Sequence, residues 1–438
     1  MTDSAGIPGG SRPAGGPGRP PAGRRRRLLR WAGAGAAAFV LVGSGTGWWL
    51  YSKLNGNITA DTSAEAELRR YERERPAHLA EGAQNILLIG SDSRAGRENA
   101  GYGQDKGTQR SDTTILLHLP ADRKSATAVS IPRDLMTDVP SCLTQDGTRT
   151  TERFAQFNWA YEWGGAACTI RTVEKLTGVR IDHHMVLDFG GFKKMVDAVG
   201  GVEVCLSRPV NDTEAALRLP AGRQLLHGEQ ALGFVRARHS LGNGSDTERM
   251  QRQQQFLGSL VTKVQSSGVL LNPARLYPLL DAATSAVTTD PGLASLRGLY
   301  ELVRGVRDIP SDQIRFLTVP RRPYPPNPNR DELVEPDASS LFERLRLDRP
   351  VTVTPPTPEP SGAAGREGSA TPGDPSEASA GAAAEASPEA SAEASAGASP
   401  EASAEAERTS VRPKSGTAST PAPVPTFTGT TADTTECR

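Results

Sequence analysis

The sequence predicts an α/β sandwich in the middle of the chain, because short apolar runs of strand type occur together with segments of helical periodicity. The first strand is predicted at residues 85–90, an apolar run that ends in glycine. Residues 113–119 and 127–131 follow and are rich in β-branched side chains. The helical segments further along the chain exclude an all-β domain, and these strands exclude an all-α one.

Helices are predicted by apolar residues that recur every three or four positions. One covers residues 169–177, and a second covers 189–199 and ends at paired glycines before a strand at 202–206. A third opens at Ser245, where the pattern Ser-Asp-Thr-Glu forms a capping box, and runs to about residue 265. A last strand is predicted at 314–319.

Composition sets the domain limits. Residues 1–30 are rich in Gly, Pro and Arg, and residues 349–438 in Pro, Ala, Ser, Glu and Thr. Such segments bury too little apolar surface to offset chain entropy, so we expect both to be disordered. A charged spacer at 52–80 and a folded domain at 81–348 lie between them. The 50 basic and 50 acidic residues balance, which argues against a nucleic-acid partner.

Residues 31–51 form an uncharged apolar run with about the 20 residues needed to cross a bilayer. Arginines precede the run, and Trp48, Trp49 and Tyr51 lie at its far end, as at a membrane interface. We therefore predict a single-pass type II protein of the cytoplasmic membrane with the domain at 81–348 outside the cytoplasm. A cleaved signal peptide is the alternative, although no A-x-A site closely follows the run.

The four cysteines contain no CxxC pair, which argues against a structural zinc site. An exported chain favours a disulfide, and our preferred pair is Cys142 with Cys168. The alternative is that these are free buried thiols.

Charged clusters adjoin three of the predicted strands, at the edge where α/β sheets usually bind ligands. Asp92 and Asp112 are candidate ligands for Mg²⁺, or Mn²⁺ in its place, because hard cations prefer oxygen ligands. Arginine suits phosphate, since its guanidinium stays charged and binds in a bidentate manner. The candidate arginines are Arg110, Arg133, Arg236, Arg238, Arg249 and Arg252.

Spacing supports convergence of these arginines. Arg236 and Arg238 would project from one face of an extended segment, and Arg249 and Arg252 from one face of a helix. The competing interpretation is that these charges form solvated ion pairs. That interpretation is less convincing for four clusters, the three at strands and the one formed by the last four arginines, than for a single cluster. P-loop, G-x-S-x-G and H-E-x-x-H motifs do not occur in the sequence.

Together these segments resemble the LytR-CpsA-Psr family of cell-envelope phosphotransferases, in its actinobacterial form. The similarity runs from about residue 84 to 264 and includes NILLIGSDSR, RSDTTILLHL, SIPRD, FNWAYEWGG and GNGSDTERMQRQQQFL. It implies an α/β/α sandwich with a central mixed sheet and a hydrophobic pocket for a polyprenyl chain. It also implies transfer of a glycopolymer from a polyprenyl-pyrophosphate carrier to a muramic acid hydroxyl of peptidoglycan, which forms a phosphodiester.

The resemblance also assigns roles. Asp92 and Asp112 resemble the magnesium ligands, and Arg110, Arg133, Arg236 and Arg238 resemble the pyrophosphate clamp. Asp246 and Arg249 match the acidic and basic pair of the family, and we include Arg252 among the substrate-binding residues. Asp134 and Asp246 are the candidates for removing the proton of the acceptor hydroxyl.

One departure is Gln156, where the family often has lysine, so we expect one cation fewer at the pocket rim. Two alternatives to transfer stay open: hydrolysis of the lipid pyrophosphate by water, and a non-catalytic envelope-binding or regulatory role.

Overall fold

The computed structural model describes residues 22–92, 110–237, 246–266, 273–355 and 425–435. Within these residues a mixed sheet of nine strands forms the centre, in the order β1-β12-β7-β2-β3-β4-β13-β17-β16. These strands are β1 (Thr59–Ala60), β2 (Gln84–Ser91), β3 (Ser111–Leu119), β4 (Ala126–Ile131), β7 (His183–Leu187), β12 (Val287–Thr289), β13 (Ile314–Thr318), β16 (Thr352–Thr354) and β17 (Thr426–Thr431).

The other described strands form two-stranded pairs. They are β5 (Met136–Val139) with β6 (Arg153–Gln156), β8 (Val202–Leu206) with β11 (Gly222–Leu226), β9 (Val210–Asp212) with β10 (Leu217–Leu219), and β14 (Arg321–Tyr324) with β15 (Asn327–Leu333). The described helices are α1 (Ala22–Asn57), α2 (Thr62–Arg70), α3 (Trp159–Thr177), α4 (Phe189–Ala198), α5 (Gly228–Arg236), α6 (Asp246–Ser266), α7 (Pro273–Ala286), α8 (Leu296–Arg307) and α9 (Asp337–Arg346).

Helices cover both faces of the sheet, which confirms the predicted sandwich. Successive residues of a strand point to opposite faces. Leu87 of β2 therefore packs in a core with α3 and α9, whereas its neighbour Ile86 packs in a core with α6 and α8. The sheet is mixed, because β3 is antiparallel to β2 and β4, while β7 is parallel to β2 and β13 to β4.

The predicted strands and helices of the central region are confirmed with small shifts at their ends, except that the helix predicted at 169–177 is α3, which already begins at Trp159. The second predicted helix is α4, which begins after the N-cap Asp188, and Gly178 ends α3 in the left-handed conformation. The third predicted helix is α6, but its proposed capping residue Ser245 lies outside the described residues.

Three of the predicted domain limits need correction. The N-terminal segment predicted to be disordered at 1–30 ends too late, because residues 22–30 belong to α1. The segment at 52–80, predicted as a spacer, contributes β1 to the sheet edge, and α2 buries Ala64 and Leu68 in the core. The predicted limit at residue 348 is also too early, because β16 and β17 both belong to the sheet. Phe427 of β17 is buried in the same core as α3. The rest of the predicted disordered tail, residues 356–424 and 436–438, lies outside the described residues.

The apolar run at residues 31–51 lies within α1, and large side chains such as Phe39 and Trp48 are exposed. Among the described residues, no helix combines the length and apolar character needed to cross a membrane. The structure therefore does not confirm the predicted transmembrane helix.

The predicted disulfide between Cys142 and Cys168 is present, with their Cα atoms 5.4 Å apart. It joins the segment after β5 to α3, which is kinked at Gly164 and Gly165. Glycine is required at 164, because a Cβ atom there would lie 2.8 Å from the Cβ of Cys168 and 2.9 Å from the carbonyl oxygen of Leu143.

Replacing both Cys142 and Cys168 by alanine should destabilise the domain. The bridge closes a loop with a sequence separation of 26, so its loss should lower the free energy of unfolding by about 3–4 kcal/mol. Denaturant titration without reductant measures this change. Cys205 is also disulfide-bonded, so reductant opens that second bridge together with the first. The same titration with reductant is therefore the control, in which every bridge is open in both proteins. Equal unfolding midpoints for the variant and the wild type would contradict the prediction.

Candidate active site

The sheet brings the predicted acidic and basic residues to one edge. The carboxyl ends of β2 and β4 lie there beside the amino end of β3, because β3 runs antiparallel to both neighbours. Asp92 follows β2, Arg110 and Asp112 stand at the start of β3, and Arg133 and Asp134 follow β4. The β2–β3 pairing is irregular between Gly90 and Ser91, so Asp112 has no direct partner in the ladder.

Asp92 and Arg110 are held against each other by their backbones. The Asp92 amide donates to the Arg110 carbonyl oxygen at 3.0 Å, and the Arg110 amide donates to Asp92 Oδ1 at 2.6 Å. The Arg110 side chain extends to α3, where its Nε donates to Glu162 Oε2 at 2.8 Å. This hydrogen bond raises the pKa of Arg110 above its usual value. Glu162 is not among the residues predicted from the sequence, although it is the one acidic residue of the FNWAYEWGG segment.

Arg133 connects the two predicted acidic positions on either side of it. Its Nη1 donates to Asp112 Oδ1 at 2.9 Å, and its Nε donates to Asp134 Oδ2 at 3.2 Å. The other oxygen of Asp134 accepts from Gln156 Nε2 at 2.7 Å and from Arg330 Nη1 at 3.2 Å. Both oxygens of Asp134 thus accept hydrogen bonds, and this carboxylate holds Arg133 in place.

The hydrogen bond from Arg330 to Asp134 concerns the cation that was expected to be missing because residue 156 is glutamine and not lysine. Gln156 donates to Asp134, and Arg330 of β15 brings a guanidinium to the same carboxylate. A cation is therefore present beside Gln156. Arg330 and Asp134 are separated by 196 residues in the chain, and no local pattern connects them, so this contact could not be predicted from the sequence.

An apolar cavity of about 480 Å³ opens beside these charges, between the sheet and α4, α5 and α6. Its interior is lined by residues that include Leu88, Ile115, Met185, Phe192, Phe256 and Leu257. Polar residues line the rest of its wall, among them Asp112, Arg236, Arg249 and Gln253. The hydrophobic pocket implied by the family resemblance is therefore a feature of this fold, with charged groups in its wall.

Of the predicted arginines of α5 and α6, some line the apolar cavity and one does not. Arg236 lines the cavity and its guanidinium carbon lies 4.6 Å from the centre of the Phe189 ring. Arg249 is buried and lines the same cavity. Arg252 is not among the lining residues, and its Nη2 donates to the carbonyl oxygen of Ala237, which ends α5. Burial lowers the pKa of Arg252. Its role in substrate binding stays a prediction.

Two further predicted residues are described in part or not at all. Asp246 is the first residue of α6, and its side chain is not described. Arg238 lies outside the described residues. Their predicted roles, as proton acceptor and as pyrophosphate ligand, stay predictions.

Comparison with known proteins identifies the family. The sequence profile of the LytR_cpsA_psr family matches residues 50–344. The chain is 34% identical over 318 residues to "Cell wall biosynthesis protein LcpA" of Corynebacterium glutamicum, and the alignment covers 67% of this chain but only 60% of LcpA. It is 27% identical over 305 residues to the "Polyisoprenyl-teichoic acid--peptidoglycan teichoic acid transferase TagT" of Bacillus subtilis, covering 66% of this chain and 87% of TagT.

A solved structure shares the fold. The crystal structure of protein gbs0355 from Streptococcus agalactiae superimposes with a TM-score of 0.51 at 22% identity, covering 63% of this chain and 92% of that chain. The match of the family profile extends from α1 to α9, over most of the described fold. The chain therefore belongs to the LytR_cpsA_psr family.

Proposed function

We propose that this protein transfers a glycopolymer from a polyprenyl-pyrophosphate carrier to a muramic acid hydroxyl of peptidoglycan, outside the cytoplasmic membrane. The observation that carries the proposal is the apolar cavity with Asp112, Arg236 and Arg249 in its wall. The apolar interior suits an apolar chain, and the two arginines suit an anionic head at its end. The names of LcpA and TagT, a cell wall biosynthesis protein and a teichoic acid transferase, support the same function.

The arginines fit the chemistry of the pyrophosphate. Phosphoryl transfer depends mainly on positioning and on neutralising charge at the phosphate oxygens. Arg236 and Arg249 lie in the wall of the cavity, and Arg133 is fixed beside it through Asp112. We propose that these three guanidinium groups bind the pyrophosphate with Arg110 and Arg238. Arginine suits this role because it stays charged and forms bidentate hydrogen bonds with phosphate.

The proposed reaction is a displacement at phosphorus. The acceptor hydroxyl oxygen forms a bond to the phosphorus that carries the glycan, and the phosphoanhydride bond breaks. Polyprenyl phosphate leaves with the bonding electrons, and the hydroxyl proton passes to a carboxylate, with Asp246 as our candidate. Asp134 is the weaker candidate, because both of its oxygens accept hydrogen bonds from Arg133, Gln156 and Arg330.

We further propose that Asp92 and Asp112 hold Mg²⁺, or Mn²⁺ in its place. Among the described residues there is no group of three or more His, Cys, Asp or Glu that could hold a metal. Two carboxylates nevertheless fit Mg²⁺, which usually takes one or two carboxylates and completes its shell with waters and substrate phosphates. When bound, such an ion would neutralise charge on the pyrophosphate oxygens.

The proposed donor also favours a location of the protein at the membrane, because the polyprenyl chain of the donor lies in the bilayer. The uncharged run at 31–51 and the arginines before it support attachment of the chain to the cytoplasmic membrane. Attachment would raise the effective concentration of the lipid carrier at the cavity.

Arg133→Ala should abolish most of the transfer activity. The variant loses a positioned cation next to the pyrophosphate, and we expect a fall in kcat of about 100- to 1,000-fold. The measurement is formation of the glycan–peptidoglycan adduct from a lipid-linked glycan and peptidoglycan fragments. Arg297→Ala is the matched control, since Arg297 is an exposed arginine paired with Glu301 on α8. Wild-type protein that releases polyprenyl phosphate without any adduct would instead indicate a hydrolase.

Asp92→Asn and Asp112→Asn should each weaken Mg²⁺ binding and transfer. Replacing a carboxylate by a neutral amide removes a negative charge that attracts the cation. Calorimetric titration of Mg²⁺ into protein with a polyprenyl pyrophosphate measures binding directly, and adduct formation with and without EDTA measures the effect on transfer. Asp138→Asn, at an exposed position of β5, is the control. Unchanged binding and full transfer in both variants would refute the metal proposal.

A further inference from the structure

A second cavity, of about 290 Å³, lies next to the apolar one. Both cavities are lined by Ser91 at the end of β2, Asp188 at the end of β7 and Val287 at the start of β12. These three residues therefore form a shared wall at the edge of the sheet that carries the charged site. The rest of the second cavity is built by β1, α3, α4 and the end of α7.

The chemistry of this second cavity differs from that of the first. Most of its lining residues carry a hydroxyl or a charge, namely Thr59, Ser91, Tyr161, Asp188, Lys194, Ser285 and Thr288. A lipid chain placed there would cover these polar groups without offering them any hydrogen bond in place of water, which is costly. A ligand rich in hydroxyl groups could both donate to and accept from the same side chains. The lining thus favours a carbohydrate.

Packing fixes the polar wall before any ligand binds. Tyr161 and Ser91 are buried, and their hydroxyl groups are hydrogen-bonded to each other. Burial raises the pKa of Tyr161. Asp188 Oδ1 accepts from the Gly191 amide at 2.7 Å. Helix α4 comes close to α7 here, since a Cβ atom at Gly191 would lie 2.7 Å from the Cβ of Ala286.

We propose that this polar cavity binds the sugar that carries the acceptor hydroxyl. The inference rests on the proposed transfer reaction, in which the attacking and leaving oxygens lie roughly in line across the phosphorus. If the leaving lipid occupies the apolar cavity, the acceptor must approach from another side. The polar cavity adjoins the apolar one at Ser91 and Asp188, and its other lining residues do not line the apolar cavity, apart from Val287. Its volume is near the lower end of small-ligand pockets, about 300 Å³, which suits one sugar unit rather than a polymer.

The test uses two variants of the full chain that alter only this cavity. Ser285→Trp places a bulky ring at an exposed lining position, and Thr288→Val removes one hydroxyl while keeping the shape of the side chain. Ser207→Trp adds the same ring at an exposed serine outside both cavities and is the control. The probe is a GlcNAc–MurNAc disaccharide fragment, titrated at equilibrium without donor and then used as the acceptor in the transfer assay.

We expect Ser285→Trp to weaken binding of the fragment and to raise the acceptor KM by about tenfold or more, as for loss of several hydrogen bonds. Thr288→Val should raise the same KM about two- to tenfold, as for loss of one neutral hydrogen bond. The donor KM should stay unchanged in both variants. Adduct formation at low acceptor concentration should therefore fall in Ser285→Trp.

Two results would overturn the inference. One is unchanged fragment binding and acceptor KM in both variants. The other is a raised donor KM with an unchanged acceptor KM, which would place the first sugar of the donor in this cavity. Failure of the proposed transfer reaction looks different: wild-type protein would bind the fragment, and Ser285→Trp would weaken that binding, yet no adduct would form. That result would keep the carbohydrate site but refute its role as an acceptor site.

Discussion

The arrangement of the site depends on the guanidinium of Arg133, which hydrogen-bonds Asp112 on one side and Asp134 on the other. These carboxylates belong to β3 and to the segment after β4, so one side chain connects two neighbouring strands at the sheet edge. Asp134 is in turn held by Gln156 and Arg330. Partly buried charges need such partners, because desolvation disfavours an unpaired ion. The hydrogen bonds to Asp112 and Asp134 also hold the guanidinium of Arg133 in place before a ligand binds, so little reorganisation is needed on binding.

The two faces of the sheet are filled differently, and this difference creates the cavity. On one face, Leu87 and Leu116 pack directly with α3 and α9 in a closed core. On the other face, the opposite-pointing Ile115 lines the apolar cavity, and α4, α5 and α6 stand across from it. Those helices pack with β8–β11 in a core of their own. Strand alternation thus lets one set of strands support a closed core and an open ligand cavity.

The sequence could predict the parts of the fold that depend on local patterns. Strands β2, β3 and β4 follow from apolar runs, and Asp92, Asp112 and Arg133 could be placed at their ends. Contacts across the chain could not be predicted in this way. Arg330 reaches Asp134 from 196 residues away, and Glu162 meets Arg110 from the first turn of a helix. Such partners are selected by tertiary packing, which single-sequence periodicity does not report.

Strand β17 is a further element that local sequence patterns could not predict. Its presence changes the interpretation of the C-terminal region. Its sequence TFTGTT has one large apolar residue, Phe427, and stability comes from pairing with β13 and β16 and from burial of that ring. Because β16 and β17 are neighbours, the chain between them starts and ends in the sheet. Closing so long a connection costs little more than closing a shorter one, since each doubling of length adds about 0.6 kcal/mol. A low-complexity insertion there is therefore compatible with a strand that returns to complete the sheet.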